Sequence, residues 1–239
     1  MENIMNKFVN KMKSKANKTL AMKKQRGMSL LEVIIVLGII GTMAAAVVIL
    51  AQRAFSSQDI TDLVDNTNSV RVAAGNAFHD AGEYPTTVGD ATKMSAADLT
   101  TKKGDEAAMV GTLVQLGQVS ESEARNGISG DYFQMQGVKI SSDATGAKGF
   151  TLEINGLDSG ECRSVLTQVA NQWDYVAVST AKAGAISTAP TSLDGAVATS
   201  GTTGVLRSMS ADGAVNVTPN RIAEACNETS DNSVVLGSK

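Results

Sequence analysis

The chain has 239 residues, 43% hydrophobic and 19% charged, with a formal net charge of −3. That figure hides an asymmetry: the first 27 residues hold eight of the 21 basic residues and one of the 24 acidic ones, so the remainder keeps 13 against 23, a formal charge of −10. An acidic main body argues against nucleic acid as a partner, because phosphate binding needs basic patches, and an aromatic content of 4% argues against an aromatic-lined ligand cleft.

The basic residues of the leading segment are Lys7, Lys11, Lys13, Lys15, Lys18, Lys23, Lys24 and Arg26. Behind them runs an apolar stretch in which the nineteen residues from Val33 to Ala51 carry no charge. A helix of that length is about 29 Å long, close to the hydrocarbon thickness of a bilayer. By the positive-inside rule residues 1–27 stay in the cytoplasm and the chain beyond Ala51 is exported. One carboxylate, Glu32, sits at the front edge of the apolar run. A charge beside a membrane segment is costly and needs a dedicated partner. A cut after Gly27 would give Met28 a new amine four residues from Glu32, roughly one helical turn, and so supply that partner.

The stretch Arg26-Gly27-Met28-Ser29-Leu30-Leu31-Glu32-Val33 resembles the prepilin peptidase site of type IV pilins. The long leader, Met28 in the place of the more usual Phe, and the run on through Gly38, Gly41 and Leu50-Ala51-Gln52-Arg53-Ala54 are similar to the type IVb branch, that of the toxin-coregulated, CFA/III and longus pilins. The likeness is dense over residues 25–55. It is looser around residues 123–130, Asn155-Gly156-Leu157 and the two cysteines. The resemblance implies a type IV pilin fold of the α+β class, a long N-terminal helix packed on a mostly antiparallel sheet.

Two other readings fit the N-terminal segment. One is a secretory signal peptide cut near Met43-Ala44-Ala45-Ala46, although the apolar run continues past that point and Glu32 is out of place in such a peptide. The other is an uncut signal anchor. The mature N-terminus separates them: Met28 for a pilin, near Ala46 for a secreted form, Met1 for an anchor.

Beyond Arg53 the pattern becomes amphipathic. Ile60, Leu63, Val64, Val70, Ala73, Ala74, Ala77 and Phe78 recur at spacings of three and four, which predicts one buried stripe, so a single helix is expected from Met28 to Phe78. Gly82 and Pro85 stop it. Residues 86–104 read as a surface loop, Asp105–Leu116 as a short helix, and Ser120-Glu121-Ser122-Glu123 as a capping box opening a turn to Asn126. Strands are expected at Tyr132–Ile140, Phe150–Ile154 and Tyr175–Ser179, with a helix from about Ser159 to Gln172 between the last two. Residues 182–203, rich in Ala, Gly, Ser and Thr, read as an exposed loop. Val205–Met209 and Ala214–Val217 are expected to form a hairpin around Ala211-Asp212-Gly213. Thr218-Pro219 opens a helix to about Cys226, and Ser233–Leu236 closes the sheet.

Cys162 and Cys226 both lie in the exported part, and an even count in an oxidising compartment reads as one disulfide; the alternative is two separate buried thiols. Two cysteines and one distant histidine, His79, do not make a zinc site. His79, near the end of the long helix, reads as solvated or capping. No catalytic elbow, phosphate loop or metal-ligand spacing is present, so neither an enzyme nor a cofactor is expected.

The resemblance therefore implies the major subunit of a type IVb pilus, with Gly27 and Met28 as processing residues and with Glu32 and Met28 as the assembly pair. Its domains would be a leader at 1–27, an N-terminal helix at 28–80 (33–51 spanning the membrane and then forming the filament core), an αβ-loop region at 81–148 and a sheet-bearing head at 149–239, with a D-region at 162–226. Implied partners are further copies of the chain, the prepilin peptidase, the inner-membrane assembly machinery, a minor pilin and the host cell surface. The alternatives are a pseudopilin or minor pilin of a secretion system, which shares the N-terminal signature, and a membrane-anchored periplasmic enzyme.

Overall fold

The computed structural model describes residues 29–201, 203–229 and 231–239. Gly27 and Met28 lie outside the described residues. The chain divides into two compact units, one ending at Arg53 and the other running from Ala54 to Lys239. Helix α1, Leu30–Phe78, begins in the first and ends in the second, and nothing along its 49 residues breaks it. Gly75 is tolerated because a β-carbon there would meet open space. After Phe78 the chain leaves the helix through Gly82, whose φ of 71° lies in the left-handed region and whose N–H bonds back to the Phe78 carbonyl at 3.2 Å.

In the second unit the sheet has the order β1-β2-β5-β3-β4 and every pairing is antiparallel. Its strands are β1 Gln134–Val138, β2 Gly149–Leu157, β3 Tyr175–Thr180, β4 Gly204–Arg207 and β5 Asn232–Ser238. The α+β architecture is the expected one. The last strand, however, does not close the sheet at an edge: β5 lies between β2 and β3.

One sheet face carries Met135, Phe150, Leu152, Ile154, Val176, Val178, Val234 and Leu236, and these pack with Leu63, Val70 and Ala74 of α1 in the main core. The apolar stripe read from the sequence is thus the buried stripe of the helix. Leu63 is 1% exposed, and truncation at such a site leaves a cavity that costs about 2–5 kcal/mol. Leu63→Ala is therefore expected to destabilise the full chain in detergent by that amount, read from its denaturant midpoint. Arg71 fastens the same helix to the sheet. Its guanidinium donates to the Gln172 carbonyl at 2.8 Å and to Ser238 Oγ at 3.1 Å, faces Asp174 at 3.6 Å, and lies over the Trp173 ring at 4.7 Å. A smaller cluster of Val138, Tyr175, Ala177, Leu193 and Val235 fills part of the other sheet face, where burial pushes the Tyr175 phenol up to about 12.

Four local expectations need correction. Residues 86–104 are not loop alone: they hold a 3-10 turn at Ala91–Lys93 and helix α2, Ala96–Thr101. Ser95 and Asp98 form a reciprocal capping box there, and the buried Leu99 anchors the turn. Helix α3, Met109–Gln115, follows a second 3-10 turn and starts later than expected. Residues 214–217 form no strand. Side chains take the ladder's place: the Asn171 amide brackets the Val217 backbone at 2.9 and 3.3 Å, and Arg207 donates to the Val215 carbonyl at 2.9 Å. The 182–203 segment is irregular as expected but not wholly exposed, because Leu193 is fully buried in the second cluster.

The remaining helices obey their cap signals. Asp158 and Glu161 close a capping box at the start of α4, Ser159–Val169, and Thr218 with Pro219 opens α5, Pro219–Ala225. The Cys162–Cys226 disulfide ties α4 to the end of α5, with Cα atoms 6.1 Å apart.

Candidate functional site

Within the first unit α1 is apolar on all sides from Val33 to Leu50, and most of its large residues are half or more exposed: Ile34, Leu37, Ile40, Met43, Val47 and Leu50 among them. A helix apolar all round belongs in lipid or inside a larger assembly. By length and composition it suffices to cross a membrane. The sequence builds it from straight-chain and β-branched aliphatics, with Thr42 made harmless by a bond from its hydroxyl to the Ile39 carbonyl at 2.9 Å. Small residues stand at Gly38 and Gly41, where the helix surface is bare and a β-carbon would meet nothing within 4 Å. Such positions let neighbouring helices approach closely.

Glu32 lies in the first turn of α1 and is exposed. A carboxylate there is favoured by the helix dipole, and the turn is closed by Val33 N–H to the Ser29 carbonyl at 3.1 Å. The structure thus places Glu32 at the head of the apolar segment, while the two processing residues expected beside it fall outside the described residues. His79 is solvent-exposed next to Asp80, 3.0 Å from its carboxylate. Among the described residues no three His, Cys, Asp or Glu side chains gather in a way that would hold a metal ion.

Two stretches that the sequence marked separately meet in the head. Asn126 is buried and donates to the Asn155 carbonyl at 2.9 Å, while Asn155 donates to Asp131 at 2.7 Å and to the Ala185 carbonyl at 2.9 Å. Gly156 next to it has φ +71°, and a β-carbon would press on Ala183 N and Ser129 Cβ, each at 3.1 Å; only glycine fits without strain. The turn at 126–130, strand β2 and the 182–190 segment are thereby fixed to one another. Sequence reading missed the third member of this set, because nothing in its small polar residues shows where it docks.

Comparison with known proteins agrees with these features. The family model of the toxin-coregulated pilus subunit TcpA matches residues 112–233, just over half of the chain, and the prokaryotic N-terminal methylation motif matches residues 22–48. The toxin coregulated pilin of Vibrio cholerae is 38% identical over 154 residues, which cover 64% of this chain and 62% of that protein. That of Vibrio cholerae serotype O1 is 36% identical over 154 residues, with the same coverage. The chain thus spans about 62% of the length of these curated relatives. The crystal structure of TcpA, a type IV pilin from the Vibrio cholerae El Tor biotype, superposes with a TM-score of 0.59 at 23% identity, covering 76% of this chain and 99% of that one, a likeness of fold. With the methylation motif upon its apolar helix and the family match running through the sheet and the disulfide, the chain belongs to the toxin-coregulated pilus subunit family of type IV pilins.

Proposed function

We propose that the chain is the major structural subunit of a type IVb pilus, a filament-forming protein and not an enzyme. In this reading the precursor sits in the inner membrane with residues 1–27 in the cytoplasm. The prepilin peptidase cuts after Gly27, Met28 is N-methylated, and the assembly machinery polymerises the product into an extracellular filament serving adhesion, self-association and host colonisation. The supporting observation is an exposed, all-round apolar helix that begins beside a single carboxylate, Glu32, in a chain of the pilin family.

Two physical contributions drive polymerisation. Apolar surface from Met28 to Ala51 passes from lipid into a packed filament core, and Glu32 meets the Met28 amine of a neighbouring copy. The pair offsets a charge that is costly at the membrane and sets the register. Because each copy offers one acid and one amine, the contact is head-to-tail and does not close, which is the geometry of filaments. Residues 1–27, 28–80, 81–148 and 149–239 then act as leader, spine, αβ-loop region and head, with the D-region at 162–226 turned to other filaments, a minor pilin and the host surface. Mass spectrometry of the dominant polypeptide in sheared surface material tests the reading. An N-methylated Met28 terminus is expected; a terminus near Ala46 or at Met1 would overturn it.

A further inference from the structure

Strand β2 alternates Phe150, Leu152 and Ile154 into the main core with Thr151 and Glu153 on the opposite face. That opposite face would ordinarily be solvated, yet Thr151 is only 4% exposed, and Glu153 and Gln134 only 8%. The covering segment is residues 182–190. It is moored by Asn155 to Ala185, by Gly184 N–H to Asp131 at 2.7 Å, and by Ser187 N–H to Glu153 Oε1 at 2.8 Å. Between segment and sheet remains a pocket of about 290 Å³, lined by Gln134, Gln136, Thr151, Glu153, Ser187 and the apolar Ile186, Ala189 and Val235.

The polar groups of this pocket are only half used by the fold. Glu153 Oε1 accepts from Ser233 Oγ at 2.6 Å and from Ser187 N–H, but Oε2 has no partner among the described residues. Gln134 accepts the Ala91 N–H at 2.8 Å through its oxygen, leaving its amide nitrogen without an acceptor among them. The Thr151 hydroxyl and the Gln136 amide make no bond to the described residues, and the buried Ser187 hydroxyl has none either. No Lys or Arg pairs with Glu153 among the described residues. Of these atoms only the Ser187 hydroxyl is sealed from solvent; the others open onto the pocket, where a carboxylate without a cation among idle donors and acceptors offers a partner to a positively charged guest.

We propose that this pocket binds a small organic ammonium ligand that also carries hydroxyl groups, the chemical class of an amino sugar. The ammonium pairs with Glu153 Oε2, and the hydroxyls are shared among Gln134, Gln136, Thr151 and Ser187. Ile186, Ala189 and Val235 cover the carbon skeleton. The volume sits at the small end of ligand sites, which suits a single ring and excludes a longer chain. The proposal does not depend on how the subunits assemble.

Titration of the full chain in detergent micelles with glucosamine, read by calorimetry or saturation-transfer NMR, tests it. Saturable binding is expected, with glucose and N-acetylglucosamine, which lack the ammonium, weaker by at least ~tenfold. Glu153→Gln keeps the shape of the side chain and its bond from Ser233, and is expected to reduce glucosamine binding by ~tenfold or more. Gln136→Met, at the half-buried rim and holding no other part of the fold, is expected to weaken binding a few-fold and decides the matter if Glu153→Gln fails to fold. The proposal falls if glucosamine shows no saturable binding, if glucose binds as well as glucosamine, or if the folded variants bind like the parent chain.

Discussion

Replacing Glu32 with Ala is expected to remove filaments from the cell surface while leaving the precursor inserted and cut after Gly27. Glu32 lies in the first turn of α1, outside every cluster that holds the head together, so the head folds without it. In the proposed filament, what is lost is one half of an ion pair between copies. Taking one partner from a buried pair costs about 3–5 kcal/mol, since the other charge is left without compensation. At about 1.4 kcal/mol per factor of ten, sheared pilin is expected to fall by two orders of magnitude or more. Glu32→Gln, equal in shape but uncharged, is expected to behave like the Ala variant. Immunoblots of sheared and membrane fractions give the readout, and a normal surface yield with either variant would discard the pairing.

The second large effect is expected at the disulfide. Cys162 is anchored in α4 among Val165, Leu166 and Val169, whereas Cys226 ends the seven-residue helix α5, which offers only Ile222 and Ala225 to the core. So short a helix has little stability of its own. The bridge joins residues 64 apart in sequence, and cross-linking a loop of that size is worth about 4 kcal/mol in the chain-entropy picture. The double variant Cys162→Ser, Cys226→Ser is expected to lose about 2–5 kcal/mol in denaturant unfolding. Early proteolytic cuts are expected between residues 200 and 230. An unchanged midpoint would show that α5 holds its place by packing alone.

Both effects involve parts of the molecule that are legible in the residues themselves. The apolar run from Val33, the stripe from Ile60 to Phe78 and the Thr218-Pro219 start of α5 each express a rule acting within a few turns, and the structure places all three as read. Local patterns lose their hold where long-range partners decide. Residues 214–217 have the alternation of a strand, but Asn171 and Arg207 claim their backbone, and neither pairs with it through a neighbouring strand. The box at Ser95 and Asp98 is hard to see in advance, because Leu99 is the one fully buried large side chain in a polar stretch. Leu193 gives no sign of burial amid its small neighbours. The same holds for the pocket at Glu153: alternation in β2 marks Thr151 and Glu153 as outward-facing, and nothing in residues 182–190 announces that they lie over that face.

The position of β5 bears on how the head is made. Residues 232–238 bridge two halves, β1–β2 on one side and β3–β4 on the other, and they come after both in the polypeptide. Until that strand arrives, each half has an inner edge, β2 in one and β3 in the other, with no neighbour to fill it. The sheet becomes continuous only when residues 232–238 slide between them, so neither half can complete the head without the strand that follows both.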